Sequence, residues 1–195
     1  KKTSTGFWVP RGTYRAQSSY KVEADASAAS YFLALGALTG GPVTVRGIDP
    51  SYLRMALMKL TAMGCDVEHG EDWITVSRTR ALTPTDIQTL PHPGFPTDLQ
   101  AQFMLLAALA DGTSVITENV FENRFMFASE LARMGADISI EDHHALVEGV
   151  PSLQGADVSS TDLRAGAALV LAAMQAEGES TIFGVKHIER GYDTL

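Results

Sequence analysis

The sequence predicts an α/β (α+β) fold built from repeated βαβαββ units, with buried central helices, sheets on the outside and a third unit that is truncated. Three observations carry that expectation. Asp25, Asp98 and Asp162 each open an Ala/Leu-rich run that reaches Gly41, Gly112 and Gly178 after 16, 14 and 16 positions, the self-similarity expected of a repeat architecture. Farther along, Met63-Gly64-Cys65-Asp66-Val67 is echoed by Met134-Gly135-Ala136-Asp137-Ile138, 71 positions later, close to the 73 that separate Asp25 from Asp98. The Ala/Leu-rich runs are also apolar on every side: Phe103, Leu106 and Ala110 cover one face, and Met104, Ala107 and Ala108 another. A helix of that kind is buried all round rather than along one stripe.

Each unit reads in the same order. An acid sits where an N-cap or first-turn carboxylate is wanted: Asp25, Asp98 and Asp162. An apolar helix follows and is expected to stop at glycine. A short β-branched strand comes next, Pro42–Ile48 or Thr113–Thr117. A second helix spans Tyr52–Met63 in the first unit and Glu122–Met134 in the second. Two strands close the unit, Cys65–Glu68 with Trp73–Ser77 and Ala136–Ile140 with Ala145–Val147, joined by polar hairpin turns at 69–72 and 141–144. The units lie at about 20–78, 93–150 and 156–195, with 78–96 as a proline-rich connector. The third unit reaches Leu195 where its second helix is due to start, so the chain reads as part of one domain of a larger protein.

Composition narrows the function. The 195 residues carry 15 Lys+Arg against 23 Asp+Glu, a net charge of −8, and no basic cluster offers a face to nucleic acid. The longest nearly unbroken apolar run, Ala165 to Met174, is too short to span a bilayer, and the start of the chain shows no apolar signal-peptide core. One cysteine, Cys65, leaves no intramolecular disulfide and no Cys-based zinc site; it reads as an inert core thiol in a reducing, cytoplasmic compartment. The five histidines show no metal-ligand spacing, and neither a P-loop nor a dinucleotide-binding glycine pattern is present. Trp8 and Trp73 read as packing residues.

The candidate chemistry lies in a few charged groups. Asp98 follows Phe95-Pro96-Thr97 at a helix start, where backbone N–H groups and the helix dipole favour an ionised carboxylate, which suits a proton acceptor; plain N-capping is the competing reading from local sequence, and Asp25 and Asp162 invite it too, Asp25 more strongly. Arg124 and Arg190 fall 26 and 28 positions after their unit's Asp, at the expected start of the second helix. A cation is unfavourable there, and a bound phosphate or carboxylate removes the conflict, as does pairing with Glu122 or Glu189. Arg54 reads as a solvated helix residue. Arg164 either pairs with Asp162 or reaches a ligand.

These motifs resemble a known family. Pro93-Gly94-Phe95-Pro96-Thr97-Asp98-Leu99-Gln100-Ala101-Gln102 is similar to UDP-N-acetylglucosamine enolpyruvyl transferases, and so are Thr117-Glu118-Asn119-Val120-Phe121-Glu122-Asn123-Arg124-Phe125-Met126, Thr161-Asp162-Leu163-Arg164-Ala165 and His187-Ile188-Glu189-Arg190-Gly191-Tyr192. The segment Tyr20-Lys21-Val22-Glu23-Ala24-Asp25-Ala26-Ser27-Ala28-Ala29-Ser30-Tyr31 is more like the sister family, the 3-phosphoshikimate enolpyruvyl transferases, although the Lys-Glu-Thr-Asp-Arg-type segment of that family is replaced by Phe125-Met126-Phe127. An enzyme acting on another nucleotide stays open.

The resemblance implies an inside-out α/β barrel of two domains, each of three units, with substrates in the cleft between them. It implies transfer of the enolpyruvyl group from phosphoenolpyruvate to the 3-hydroxyl of UDP-N-acetylglucosamine in peptidoglycan precursor synthesis, with release of phosphate and no cofactor. Asp98 is then the base on that hydroxyl, Val120 and Phe121 line the uridine-sugar site, and Arg124 and Arg190 hold phosphoenolpyruvate, the electrostatic role such arginines supply. Asp162 and Arg164 support the site. A lid loop with a catalytic Cys or Asp belongs to the partner domain; Cys65 does not match that thiol's context, nor Lys1-Lys2 the family's Lys-Asn pair. A non-catalytic binding domain of the same fold and a purely structural repeat module are the competing readings. The chain alone is expected to be inactive as a transferase; a phosphate-release assay on the purified 195-residue chain checks this, and measurable turnover overturns it.

Overall fold

The computed structural model describes residues 22–122 and 124–192. Trp8, the Lys1-Lys2 pair, Tyr20, Lys21 and Asn123 lie outside the described residues. The chain order is α1 (Ala26–Thr39), β1 (Val43–Arg46), α2 (Arg54–Ala62), β2 (Asp66–His69), β3 (Trp73–Ser77), β4 (Ile87–Gln88), α3 (Gln100–Ala108), β5 (Thr113–Thr117), α4 (Ala128–Arg133), β6 (Asp137–Glu141), β7 (His144–Glu148), β8 (Asp157–Ser159), α5 (Leu163–Gln175) and β9 (Thr181–Phe183). No described helix is long and apolar enough to cross a membrane.

The apolar helices α1, α3 and α5 pack against one another in the middle of the molecule. All nine residues of α3 are buried, among them Phe103, Met104, Leu105 and Leu106. Full burial of a side chain of that size contributes about 1.5–3 kcal/mol, so this helix is held by surroundings apolar on all sides. The edge-to-face pair Phe95–Phe103, with ring centroids 4.9 Å apart, ties the segment before α3 to its first turn.

Three sheets surround these helices. The first has strand order β1-β3-β2 and is antiparallel, with Val45 opposite Ile74 and Val67 opposite Val76. Its inner positions Ile74 and Val76 are fully buried, while Thr44 and Thr75 share a 2.7 Å hydroxyl contact on the outer face. The second has order β4-β5-β7-β6, and the third pairs β8 with β9 in parallel. Among the described residues the sheets remain separate ladders and do not join into one closed cylinder.

Several sequence expectations are refined. The connector at 78–96 contains β4, which pairs in parallel with β5 through Ile87–Ile116 and Gln88–Thr117; two residues are too few for a periodic signal. Of the three apolar helices only α1 ends at glycine, Gly40, left-handed at φ 77° with its N–H on the Gly36 carbonyl, while α2 and α4 stop at Met63-Gly64 and Met134-Gly135 as the sequence suggests. Helices α3 and α5 end earlier because Ala110 bridges to Leu82 and Glu177 to Gln154 before Gly112 and Gly178 are reached. The helix expected over Glu122–Met134 is α4, confined to Ala128–Arg133. Phe125 and Phe127 are both buried while Met126 is 65 % exposed. Residues 124–127 run as turns, closed by the Ala128 N–H on the Phe125 carbonyl.

Cys65 is buried, and burial pushes its thiol up to about 11, as expected for an inert core thiol. Trp73 opens β3. His143 sits in the β6–β7 turn, whereas His144 begins β7 and its Nδ1 meets the Thr117 hydroxyl at 2.9 Å. No group of three potential metal ligands occurs among the described residues.

The contact of α1 with the first sheet depends on Gly36: a Cβ there sits 2.5 Å from the Val76 carbonyl oxygen and 3.2 Å from the Val43 Cβ. Backbone cannot yield as a side-chain tip does, so Gly36→Ala is expected to lower stability by about 1–3 kcal/mol through overpacking, against the slight gain that Gly→Ala gives in an open helix. Chemical denaturation of wild type and variant measures the difference.

Candidate active site

Because α1, α3 and α5 pack together, the chain segments that lead into them meet at one end. The three acids that open them do different jobs. Asp25 caps α1, its Oδ1 accepting from the N–H groups of Ser27 and Ala28 at 2.9 and 3.1 Å. Asp162 caps α5 in the same way, accepting from Arg164 and Ala165 at 2.8 and 2.9 Å. Asp98 caps nothing. It lies inside a 3-10 turn, Thr97–Leu99, preceded by the extended Pro96, and α3 begins only at Gln100. The dipole argument for its charge is thus replaced by side-chain contacts.

Arg124 Nη2 donates to Asp98 Oδ1 at 2.9 Å. The Ser27 hydroxyl donates to Oδ2 at 3.3 Å, and Arg164 Nε stands 3.7 Å from the same oxygen. Arg164 Nη2 reaches both Asp25 oxygens, at 3.2 and 3.4 Å, and its Nη1 reaches the Tyr192 hydroxyl at 3.2 Å. Asp25, Arg164, Asp98 and Arg124 thus alternate in sign and link the starts of α1, α5 and α3 to the loop after β5. Such part-exposed pairs contribute about 0.2–1 kcal/mol each, far less than one buried core leucine. Their arrangement matters for chemistry rather than for holding the fold.

Arg124 and Arg190 do not stand at helix starts. Arg124 is in the turns before α4, and its cation lies against the Phe121 ring at 5.0 Å in addition to the Asp98 carboxylate. Arg190 follows the 3-10 turn Val185–His187 in a further turn closed by the Tyr192 N–H on the Ile188 carbonyl. The conflict with a helix dipole therefore does not arise, and the expected partners Glu122 and Glu189 pair with neither arginine; Arg190 makes no ion pair among the described residues. Arg164 pairs with Asp25 and not with the Asp162 carboxylate, which its own capping bonds hold back.

Asp98, Arg124, Asp162, Arg164, Arg190 and Phe121 line a single open groove of about 650 Å³. Thr161 lines it as well, and its buried hydroxyl has no hydrogen-bond partner among the described residues. Val120 does not line this groove, and its side chain is exposed. Three guanidinium groups line the groove with Asp98, Asp162 and Glu122, and Arg190 is the one with no ion pair among the described residues, left to meet an anion. Sequence reasoning missed Ser27, Tyr192 and Glu118, whose parts are set only by what folds against them.

Burial and the hydrogen bonds of Arg164 to Asp25 and Tyr192 tune this cluster. Burial pushes Arg164 down, but its bonds to Tyr192 and Asp25 outweigh that, so it stays protonated. Burial raises Tyr192, and it carries the Tyr31 phenol up to about 12, with the two rings 5.2 Å apart.

Comparison with known proteins decides the family. The model for EPSP synthase (3-phosphoshikimate 1-carboxyvinyltransferase) matches residues 1–195. The chain belongs to the EPSP synthase family. Within that family it is 49 % identical over 176 residues to a UDP-N-acetylglucosamine 1-carboxyvinyltransferase of Desulfofundulus thermocisternus, covering 90 % of this chain and 72 % of that protein. It is 52 % identical over 167 residues to UDP-N-acetylglucosamine 1-carboxyvinyltransferase 1 of Symbiobacterium thermophilum, covering 86 % of this chain and 38 % of that one. Among solved structures, the enolpyruvyl transferase NikO from Streptomyces tendae superposes with a TM-score of 0.80 at 31 % identity, over 88 % of this chain and 41 % of that chain. The chain spans about two-fifths of the length of most of these relatives. The α/β fold and the resemblance to carboxyvinyltransferases expected from the motifs are both found.

The Asp25 carboxyl gives a testable consequence. Burial pushes it up, but the Ala28 N–H and the Arg164 guanidinium outweigh this and hold it below its ordinary value of 3.8. A depressed carboxylate contributes stability that is present above the unfolded-state value and lost as pH falls through the folded-state one. Asp25→Asn keeps a capping oxygen and removes the charge. The variant should be less stable than wild type at pH 7, and the gap should close as pH drops below about 4; denaturation across that range measures it, and parallel acid limbs would contradict it.

Proposed function

We propose that the whole protein transfers the enolpyruvyl group of phosphoenolpyruvate to the 3-hydroxyl of UDP-N-acetylglucosamine, releasing phosphate, with this chain supplying one wall of the site. The observation that carries the reading is Asp98, clasped between Arg124 and Arg164 on a groove that Arg190 also lines. The near-50 % identity to UDP-N-acetylglucosamine 1-carboxyvinyltransferases supports the acceptor.

In this reading Asp98 accepts the proton of the attacking hydroxyl. Its two oxygens each keep a lone pair beyond the bonds to Arg124 and Ser27, so a substrate O–H has an acceptor already oriented. Arg124 and Arg190 hold the phosphate and carboxylate of the donor, and planar forks suit both groups. Charge that builds on the donor as the carbon–oxygen bond forms meets guanidinium groups already in place, which is how preorganised electrostatics lowers a barrier. Phe121 and Val120 border the acceptor's uridine-sugar portion. Asp162 and Arg164 stiffen the wall, Asp162 by capping α5 and Arg164 by tying Asp25 and Tyr192 to the base. Units at 20–78, 93–150 and 156–195 form part of one domain, and a partner domain of the same enzyme brings the lid with its general acid. The reaction takes place in the cytoplasm.

A specific observation favours a second acceptor, shikimate 3-phosphate. The segment most like the 3-phosphoshikimate family supplies Asp25 and Ser27, and both touch the charged cluster, Asp25 through Arg164 and Ser27 through Asp98. Phosphate release by the full-length protein with each acceptor separates the two. With the preferred acceptor, Arg124→Ala should raise KM for phosphoenolpyruvate at least tenfold, and Asp98→Asn should lower kcat by about 10²–10⁴ through loss of the base while leaving that KM nearly unchanged. Unchanged kinetics in Arg124→Ala removes Arg124 from the site.

A further inference from the structure

Glu118 is 3 % exposed, follows directly on β5 and makes no ion pair among the described residues. A buried carboxylate without a cation needs hydrogen bonds to be tolerated, and five neutral donors supply them. Oε1 accepts from the Thr89 hydroxyl at 2.9 Å and from the N–H groups of Val120 and Phe121 at 2.8 and 3.1 Å. Oε2 accepts from the Thr97 hydroxyl at 2.8 Å and the Gln100 amide at 2.9 Å. A carboxylate offers about four lone-pair directions, so these donors saturate it and leave nothing for a substrate.

The donors come from three segments: the stretch after β4, the turn that opens α3, and the loop after β5. Those last two carry Asp98 and Arg124. The Thr97 hydroxyl couples them, because its hydrogen is committed to Glu118 and its oxygen is thereby turned to accept from Arg124 Nη1 at 3.1 Å. The other terminal nitrogen of Arg124 goes to Asp98. Glu118 also anchors the N–H of Phe121, whose ring lies against the same guanidinium. Two of the three contacts that orient Arg124 therefore trace back to Glu118.

We propose that Glu118 is a positioning residue: through Thr97 and the 118–121 loop it fixes the Arg124 fork in the orientation that receives an anionic donor. The role of Arg124 toward that donor rests on the function proposed above, whereas its orientation by Glu118 does not. Glu118→Gln puts amide hydrogens where a donor already points, so Thr97 or Gln100 must turn away. Thr97→Val removes the coupling hydroxyl and leaves Glu118 in place, and Thr97→Ser keeps it.

The test uses the full-length protein with arginine ¹⁵Nε labelling, the Arg124 signal being assigned by its loss in Arg124→Lys. In wild type and Thr97→Ser the signal should be sharp and at one position; in Glu118→Gln and Thr97→Val it should shift or broaden without phosphoenolpyruvate present. Kinetics on the same proteins should show KM for phosphoenolpyruvate raised about tenfold (about 1.4 kcal/mol) in both variants, acceptor KM within twofold in Thr97→Val, and a double variant no worse than the single ones. An unaltered Arg124 signal in Thr97→Val overturns the proposal, even if Glu118→Gln fails to fold. An equal rise in both KM values in Thr97→Val overturns it as well. A shifted Arg124 signal with no phosphoenolpyruvate-dependent turnover in wild type supports the positioning role and sinks only the proposed reaction.

Discussion

Helices without a polar face leave water only where apolar surfaces cover them on every side, here one another and the sheets, and the site follows from that constraint. Helix α3 is buried at every position, and α1 and α5 expose only a minority of theirs. Their mutual contact brings the segments that open them together, although Asp25 and Arg164 lie 139 positions apart. Each unit contributes an acid at this point, and in the first and third units that acid starts the helix. Convergence of charge is thus a by-product of apolar packing, and its chemistry depends on which acid is left free.

Asp98 is that acid. In the first and third units a carboxylate directly precedes the helix and is consumed by its orphan N–H groups. In the second, Pro96 opens a 3-10 turn and α3 starts two residues after Asp98, so the side chain is released to Arg124, Arg164 and Ser27. One shift of a helix boundary converts a structural cap into a group able to take part in proton transfer. The cations on either side come from different units, which makes the geometry of the base sensitive to how the units pack.

Two kinds of carboxylate stand close to Arg124 and behave differently. Asp98 is part-exposed and held by charge, so it is available to the groove. Glu118 is buried and held by five neutral donors, so it is spent on the loops beneath. The first arrangement allows exchange of partners when an anion arrives; the second resists it, since every bond lost there leaves a buried polar group unpaired. A movable first layer over a fixed second layer suits a site that must bind and release a charged substrate.

Much of this was legible in the residues. The recurring Asp, the all-apolar helices and the paired closing strands predicted α1, α3, α5 and the β2–β3 and β6–β7 hairpins, because apolar periodicity and turn chemistry are local properties. The motifs containing Asp98, Arg124, Asp162, Arg164 and Arg190 singled out residues that do share one groove. The reasons differ where local rules meet tertiary packing: the segment before α4 runs as turns, and Arg124 finds a carboxylate across the fold instead of a helix dipole. Strand β4 and the edge β8 were too short to announce themselves. Sequence by itself therefore determined the repeated elements and the stock of charged groups, since backbone propensity and side-chain chemistry travel with each residue. Which acid stays free, which cation faces it and that Glu118 ties them together were decided only by the tertiary structure, because those bonds join segments that have no proximity until the central helices are buried.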